Sequence, residues 1–87
     1  MKQFYLPTPV GDTRKSFYNK AIVTVMDNGD IELMSYCTTV CRIRNGKLER
    51  LWNGYSATTM RHINAFLEHY NLPGGGKSWW TSLAVIK

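Results

Sequence analysis

The chain has 87 residues, 44% of them hydrophobic and 13% aromatic, and its 11 Lys and Arg against 6 Asp and Glu give a net charge of +5. A chain this short can enclose only one hydrophobic core, so we expect a single domain over residues 1–87. The apolar content argues against a disordered chain, and no run of about 20 apolar residues is present to span a bilayer.

The N-terminal residues 1–19 are predicted to form an extended arm, because Pro7 and Pro9 disfavour helix. Phe4–Leu6 and Phe17-Tyr18 are expected to pin this arm to the body of the domain. The arm lacks the apolar run of a secretory signal, so we expect the protein to be cytoplasmic.

The first hairpin is predicted around Asn28-Gly29, which separates the β-branched run 20–26 from the run 31–36. An Asn-Gly pair between two such runs favours a two-residue type I′ turn, since both of its central positions need positive φ. Counting back from this turn pairs Met26 with Ile31 and Thr24 with Leu33. Both faces of the hairpin then carry apolar side chains, so the hairpin is expected to lie centrally or to be partly covered on its second face.

A second hairpin is predicted from Thr39–Arg44 and Lys47–Trp52, which flank Asn45-Gly46. Its core face is expected to carry Cys41, Ile43 and Leu48, and its other face Arg42 opposite Glu49. The two Asn-Gly hairpins, residues 20–52, therefore predict an antiparallel sheet of about four strands.

An amphipathic helix is predicted over residues 56–71, with Ser56 as its N-cap. Apolar residues at helical spacing, Met60 to Tyr70, would pack this helix on one face of the sheet, which makes the fold α+β. The helix should end near Tyr70 or Asn71, because Pro73 disfavours helix at the residue before it. Residues 72–87 are predicted to form a flexible Gly-rich connector followed by a packed tail that contains two tryptophans. The pattern does not decide between helix and strand for residues 77–87.

Catalytic and metal chemistry find little support in the sequence. On one strand the Cα atoms of Cys37 and Cys41 would be about 13 Å apart, too far for a disulfide, so we expect two buried free thiols. A zinc site is not expected, because His62 and His69 lie seven residues apart on one helix. A nucleophilic cysteine with a histidine base is the least favoured function, and no cofactor is predicted.

A phosphate-binding loop is also excluded, although Gly76-Lys77-Ser78 matches the end of its motif. The first glycine of that motif is replaced by Asn71, and the segment follows a helix rather than a strand.

Two surfaces are candidates for binding. Basic side chains on the predicted sheet could bind nucleic acid by neutralising phosphates: these are Arg42, Arg44, Lys47 and Arg50. Polar and aromatic residues cluster at the start of the predicted helix, where its N-terminus could hold a partner's carboxylate: these are Trp52, Tyr55, Thr58, Thr59, Arg61 and His62. We prefer the second set as a protein-binding surface.

Several sequence blocks resemble a family of small uncharacterised proteins carried by phages, plasmids and conjugative elements of gut-dwelling Firmicutes. These blocks are Ser16–Ala21, Asp27–Ile31, Ser35–Val40 and Leu51–Asn64. The resemblance implies an accessory protein that binds and blocks a host protein, such as an anti-CRISPR or other anti-defence inhibitor, or alternatively a nucleic-acid-binding regulator. Self-association through an edge strand or the Trp79-Trp80 tail is a further expectation.

Overall fold

The computed structural model describes residues 1–6 and 21–86, which form an α+β domain. The elements are β1 (Lys2–Tyr5), β2 (Ala21–Val25), β3 (Ile31–Ser35), β4 (Thr38–Arg44), β5 (Lys47–Arg50), α1 (Ala57–His69) and α2 (Lys77–Ser82). The strands form one antiparallel sheet in the order β1-β2-β3-β4-β5. Helix α1 packs against one face of this sheet, above the central strand β3.

The sheet has five strands rather than about four, because Lys2–Tyr5 forms an edge strand beside β2. Lys2 lies opposite Val25, and Tyr5 opposite Ile22. The prolines that led us to expect an extended arm come after β1 in the sequence, so they do not interrupt it. The rest of the predicted arm, residues 7–19, lies outside the described residues.

The two faces of the sheet differ in polarity, because side chains alternate along each strand. One row of side chains on the α1 face crosses all five strands. Its first four members are apolar and its last member is an arginine: Phe4, Val23, Leu33, Cys41, Arg50. A parallel row on the opposite face is polar: Gln3, Thr24, Glu32, Arg42, Glu49. The hydrophobic core therefore lies between the first face and α1.

The loop between β2 and β3 is not the predicted type I′ turn. Gly29 has a φ of 95°, but Asn28 is not among the residues with positive φ. The Gly29 N–H donates to Met26 O at 3.0 Å, and the Met26 N–H donates to Asp30 O at 2.8 Å. This is a three-residue loop with a glycine at its end, so Val25 pairs with Ile31 and the predicted Met26–Ile31 register is wrong by one residue.

The loop between β4 and β5 has two residues, Asn45 and Gly46, with φ of 54° and 76°. Arg44 lies opposite Lys47, and Arg42 lies opposite Glu49. Two central residues with positive φ are what a type I′ turn requires.

Both ends of α1 are capped. The Thr59 N–H donates to the Ser56 hydroxyl at 3.0 Å, so Ser56 is the N-cap. At the other end Asn71 has a φ of 59°, and the Leu72 N–H donates to Leu67 O at 2.8 Å. This arrangement is a Schellman motif, with Asn in the place that glycine usually takes.

The C-terminal region is held against α1 and the sheet. The Asn64 side chain donates to Gly75 O at 2.9 Å and accepts from the Gly75 N–H at 3.1 Å, so the glycine connector is hydrogen-bonded to α1. The tail begins as α2 and then forms an isolated parallel bridge between Val85 and Arg50. Of the helices in the described ranges, neither has the length and apolarity needed to cross a membrane.

Candidate functional site

Two of the residues predicted for the protein-binding surface lie on the side of α1 that faces the sheet. Thr59 and His62 are buried, and both reach the side chain of Ser35 on β3. The Ser35 hydroxyl lies 3.1 Å from Thr59 Oγ1 and 2.8 Å from His62 Nδ1. These contacts satisfy polar groups that would otherwise be costly to bury. The structure therefore gives Thr59 and His62 a position inside the domain, which corrects their predicted place on its surface.

The remaining predicted residues stay at or near the surface where α1 begins. Tyr55 is 40% exposed and lies under the Lys77 ammonium, whose Nζ is 5.2 Å from the ring centroid. Thr58 and Arg61 are half-buried on α1. Trp52 is also half-buried and covers Gly54 so closely that a Cβ there would lie 2.4 Å from Trp52 Cζ2. Trp52 thus packs against the chain that enters the helix.

Tyr36 is a feature of this region that the sequence did not indicate. It forms the β3–β4 turn with Cys37, has a φ of 57° and is 47% exposed. Its ring centroid lies 5.8 Å from that of His62, so it stands beside the first turns of α1. Positive φ is uncommon for a bulky residue and costs conformational energy. No turn-forming residue marks positions 36–37, so no sequence pattern could have found it.

These observations define a helix-entry surface made of Tyr36, Tyr55, Thr58 and Arg61. Tyr55 precedes the N-cap Ser56, and Thr58 and Arg61 lie in the first turns of α1. Tyr36 lies beside His62, whose buried contact with Ser35 holds this part of α1 on the sheet. Tyr and Arg are the residue types, together with Trp, that contribute most to protein–protein binding.

The predicted basic face is neutralised by carboxylates from neighbouring strands. Arg42 Nε donates to Glu49 Oε1 at 2.5 Å, and Arg44 donates to Asp30 through Nε and Nη2, the shortest contact being 2.6 Å. The Arg44 guanidinium holds the pKa of Asp30 below its usual value. Lys47 is exposed in the same hairpin. Two of the four predicted phosphate-binding residues, Arg42 and Arg44, are thus each paired with a carboxylate.

Arg50 does not belong to the basic face. Its parity along β5 turns its side chain toward α1, where it is 5% exposed. The guanidinium donates to Trp52 O at 2.9 Å and to Leu83 O at 3.1 Å, and its Cζ lies 4.8 Å from the Trp80 ring centroid. Trp80 in turn donates from Nε1 to Gly54 O at 2.9 Å. Arg50 therefore ties the C-terminal tail to the chain that leads into α1.

The two cysteines differ in exposure, so the prediction of two buried thiols is wrong for one of them. Cys41 is buried in the core, and burial raises the pKa of its thiol. Cys37 is exposed in the Tyr36-Cys37 turn. A raised pKa disfavours the thiolate, which is the nucleophilic form. Within residues 1–6 and 21–86, no group of three or more metal-binding side chains comes together.

A shallow cavity of about 380 Å³ lies at the end of the sheet, between the two Asn-Gly turns. Ile31, Ile43 and Leu72 supply its apolar lining, while Asp30 and Tyr70 add polar groups. Burial raises the pKa of the Tyr70 phenol. The two turns are distant in sequence, so only the folded sheet brings this lining together.

One protein family matches this chain. A family model described as a family of unknown function, DUF8033, matches residues 7–82, so the chain belongs to that family. Neither the curated proteins nor the solved structures gave a match. The predicted membership of an uncharacterised protein family is confirmed.

Proposed function

We propose that this member of DUF8033 is a non-enzymatic accessory protein that binds a partner protein through its helix-entry surface. The observation that carries the proposal is Tyr36, an exposed aromatic side chain that the fold presents on a backbone of positive φ. Strained backbone positions persist where the surrounding structure enforces them, and they cluster at functional sites.

The surface around Tyr36 has the composition of a binding site. Tyr55 and Arg61 add a second exposed ring and a guanidinium at the start of α1. Tyrosine supplies a large contact area for little conformational entropy, and arginine supplies several donors in a fixed geometry. The Ser56 cap and the buried Ser35–His62 contact fix the helix start, so few side chains would need ordering on binding.

The partner we propose is a host protein, and specifically a component of a bacterial defence system met in the cytoplasm. The resemblance to small proteins of phages and mobile elements supports this choice, since such proteins often act by covering a surface of a host factor. Inhibition of this kind requires a rigid surface and no chemistry. Of the two cysteines that could serve as nucleophiles, Cys41 is buried and Cys37 is exposed.

The proposal is tested by capture from a host lysate treated with nuclease, followed by mass spectrometry. The informative variant is Tyr36→Gly, because glycine adopts positive φ without strain, and this gain offsets the loss of the ring contact with His62. We expect this variant, and Arg61→Ala, to lose the captured protein while the melting temperature of Tyr36→Gly does not fall. Tyr5→Ala is the matched control, because Tyr5 is an exposed tyrosine on another part of the molecule and its loss should leave capture unchanged.

Two results would count against this proposal. Equal capture by the wild type and by Tyr36→Gly would remove the helix-entry surface from the interaction. Recovery of nucleic acid, with every protein lost on digestion, would favour the face that carries Arg42, Arg44 and Lys47.

A further inference from the structure

The two edge strands of the sheet, β1 and β5, differ in the hydrogen bonding of their outward backbone groups. At the β5 edge, the Ile86 N–H donates to Arg50 O at 2.7 Å, so the C-terminal tail covers part of that edge. At the β1 edge, no described residue bonds to the outward backbone groups. An edge strand of this kind is a template for pairing with another strand.

The direction of each backbone group on β1 follows from one hydrogen bond. The Leu6 N–H donates to Ala21 O at 2.8 Å, so Leu6 faces β2. Hydrogen-bonding direction alternates along an antiparallel strand, so Phe4 and Lys2 also face β2, while Gln3 and Tyr5 point their N–H and C=O groups outward. The outward edge thus offers two donors and two acceptors.

We propose that two copies of this chain pair antiparallel through β1, forming one continuous sheet across a two-fold axis. Residues that face each other must share a face of the sheet, so facing positions have the same parity. The register that uses every outward group places Gln3 of each copy opposite Tyr5 of the other. Four backbone hydrogen bonds then form, and Phe4 of one copy lies opposite Phe4 of the second copy on the axis.

The side chains of β1 suit a second copy of the same strand. Phe4 is half-buried on the α1 face, where its ring centroid lies 5.6 Å from that of His69. A pair of Phe4 rings would extend the two cores toward each other. Tyr5 is 55% exposed, and Lys2 is the one charged side chain of the strand. In this register Lys2 lies outside the paired segment Gln3–Tyr5, so the Lys2 side chains of the two copies do not face each other.

The pairing has a geometric consequence for the whole protein. The two-fold axis is perpendicular to the sheet, so α1 of both copies lies on the same face. The assembly therefore presents two helix-entry surfaces. This inference stands on the β1 edge alone and does not depend on the proposed function.

The first test measures the mass of the whole protein by light scattering across a concentration series. We expect twice the chain mass of 10.0 kDa for the wild type and for Tyr5→Ala, which keeps the Tyr5 N–H. Tyr5→Pro removes that outward N–H without touching the ladder to β2, and proline is tolerated at edge positions of this kind. We expect a single chain mass for Tyr5→Pro. A single chain mass for the wild type, or a doubled mass for a folded Tyr5→Pro, would overturn the proposal.

A second test remains decisive if Tyr5→Pro fails to fold. In a Cys37→Ser background, Phe4→Cys places two thiols on the two-fold axis, at a Cα separation of about 4.5 Å that suits a disulfide. Gln3→Cys is the matched control, because each Gln3 faces Tyr5 and not its own equivalent. We expect mild oxidation to cross-link Phe4→Cys and not Gln3→Cys. Equal cross-linking of the two variants, or none, would overturn the proposed register.

Discussion

The two Asn-Gly loops of this protein begin from the same dipeptide and adopt different structures. At Asn45-Gly46 both residues have positive φ, and the loop has two residues. At Asn28-Gly29 only the glycine does, and the loop has three residues. The difference shifts the register of β2 against β3 by one residue, which changes every predicted partner in the first hairpin.

The difference follows from what the Asn28 side chain binds. Asn28 Oδ1 accepts from the Asp30 N–H at 3.0 Å, which holds Asn28 in an Asx turn with negative φ. Asp30 in turn accepts from Arg44, the residue that precedes the second loop. The dipeptide thus specifies a turn, while its neighbours decide how many residues the turn contains.

Replacing the glycines should produce the largest effect and the same effect in both loops. Gly29→Ala and Gly46→Ala each place a Cβ where nothing lies within 4 Å, so the cost is the positive φ alone. We expect each to lower the unfolding free energy by about 1–2 kcal/mol, measured by urea denaturation. Gly76→Ala is the matched control, because Gly76 also has open space but a φ of −96°, so this variant loses only the preference of the α2 N-cap for glycine over alanine. A large cost at only one of the two loops would contradict the backbone geometry described.

Exchanging each asparagine for glycine should separate the two loops. Asn28→Gly loses the bond to the Asp30 N–H, and we expect the unfolding free energy to fall by about 0.5–1.5 kcal/mol. Asn45→Gly keeps a residue suited to positive φ, so we expect a change of less than about 0.5 kcal/mol in either direction. Equal losses in the two denaturation curves would mean that both asparagines play one role.

The ion pair between the loops should appear in the pH dependence of stability. Arg44 lowers the pKa of Asp30 from its ordinary value of 3.8, so the folded state favours the carboxylate. This stabilisation is present above pH 3.8 and is lost as the pH falls through the lowered pKa. We therefore expect the melting temperature to fall further below pH 4 in the wild type than in Asp30→Asn, which has no proton to take up at this site. Parallel melting curves for the two proteins would show that the pair is not coupled to folding.

The smallest effect is expected at the cross-strand pair of the second hairpin. Arg42 and Glu49 lie opposite each other, and both side chains are half-buried. A double-mutant cycle with Arg42→Gln and Glu49→Gln should give a coupling of about 0.2–1 kcal/mol. In the first hairpin, the corresponding pair Thr24 and Glu32 carries only one charge, and its cycle should give a smaller value. A larger coupling there would reverse this ranking.

Local patterns were informative wherever one segment contains all the interactions that matter. The Ser56 cap, the apolar face of α1 and the end of that helix near Tyr70 are all decided by residues a few positions apart. Patterns failed where a role depends on distant partners. The sequence predicted Arg50 to be a surface cation, but its guanidinium donates to a carbonyl of the C-terminal tail. It predicted His62 to be a surface residue, but His62 contacts Ser35 on β3. No sequence pattern indicated a turn at Tyr36.

By itself, the sequence determined the α+β class, the position of α1 and the glycines that its turns need, because periodicity, capping and positive φ are local properties. The tertiary structure alone decided the strand role of residues 2–5, the register of the first hairpin and the division of the candidate site into buried and exposed residues. Those outcomes depend on which distant groups meet across the sheet, and the cost of burying a polar group depends on the partner it finds there.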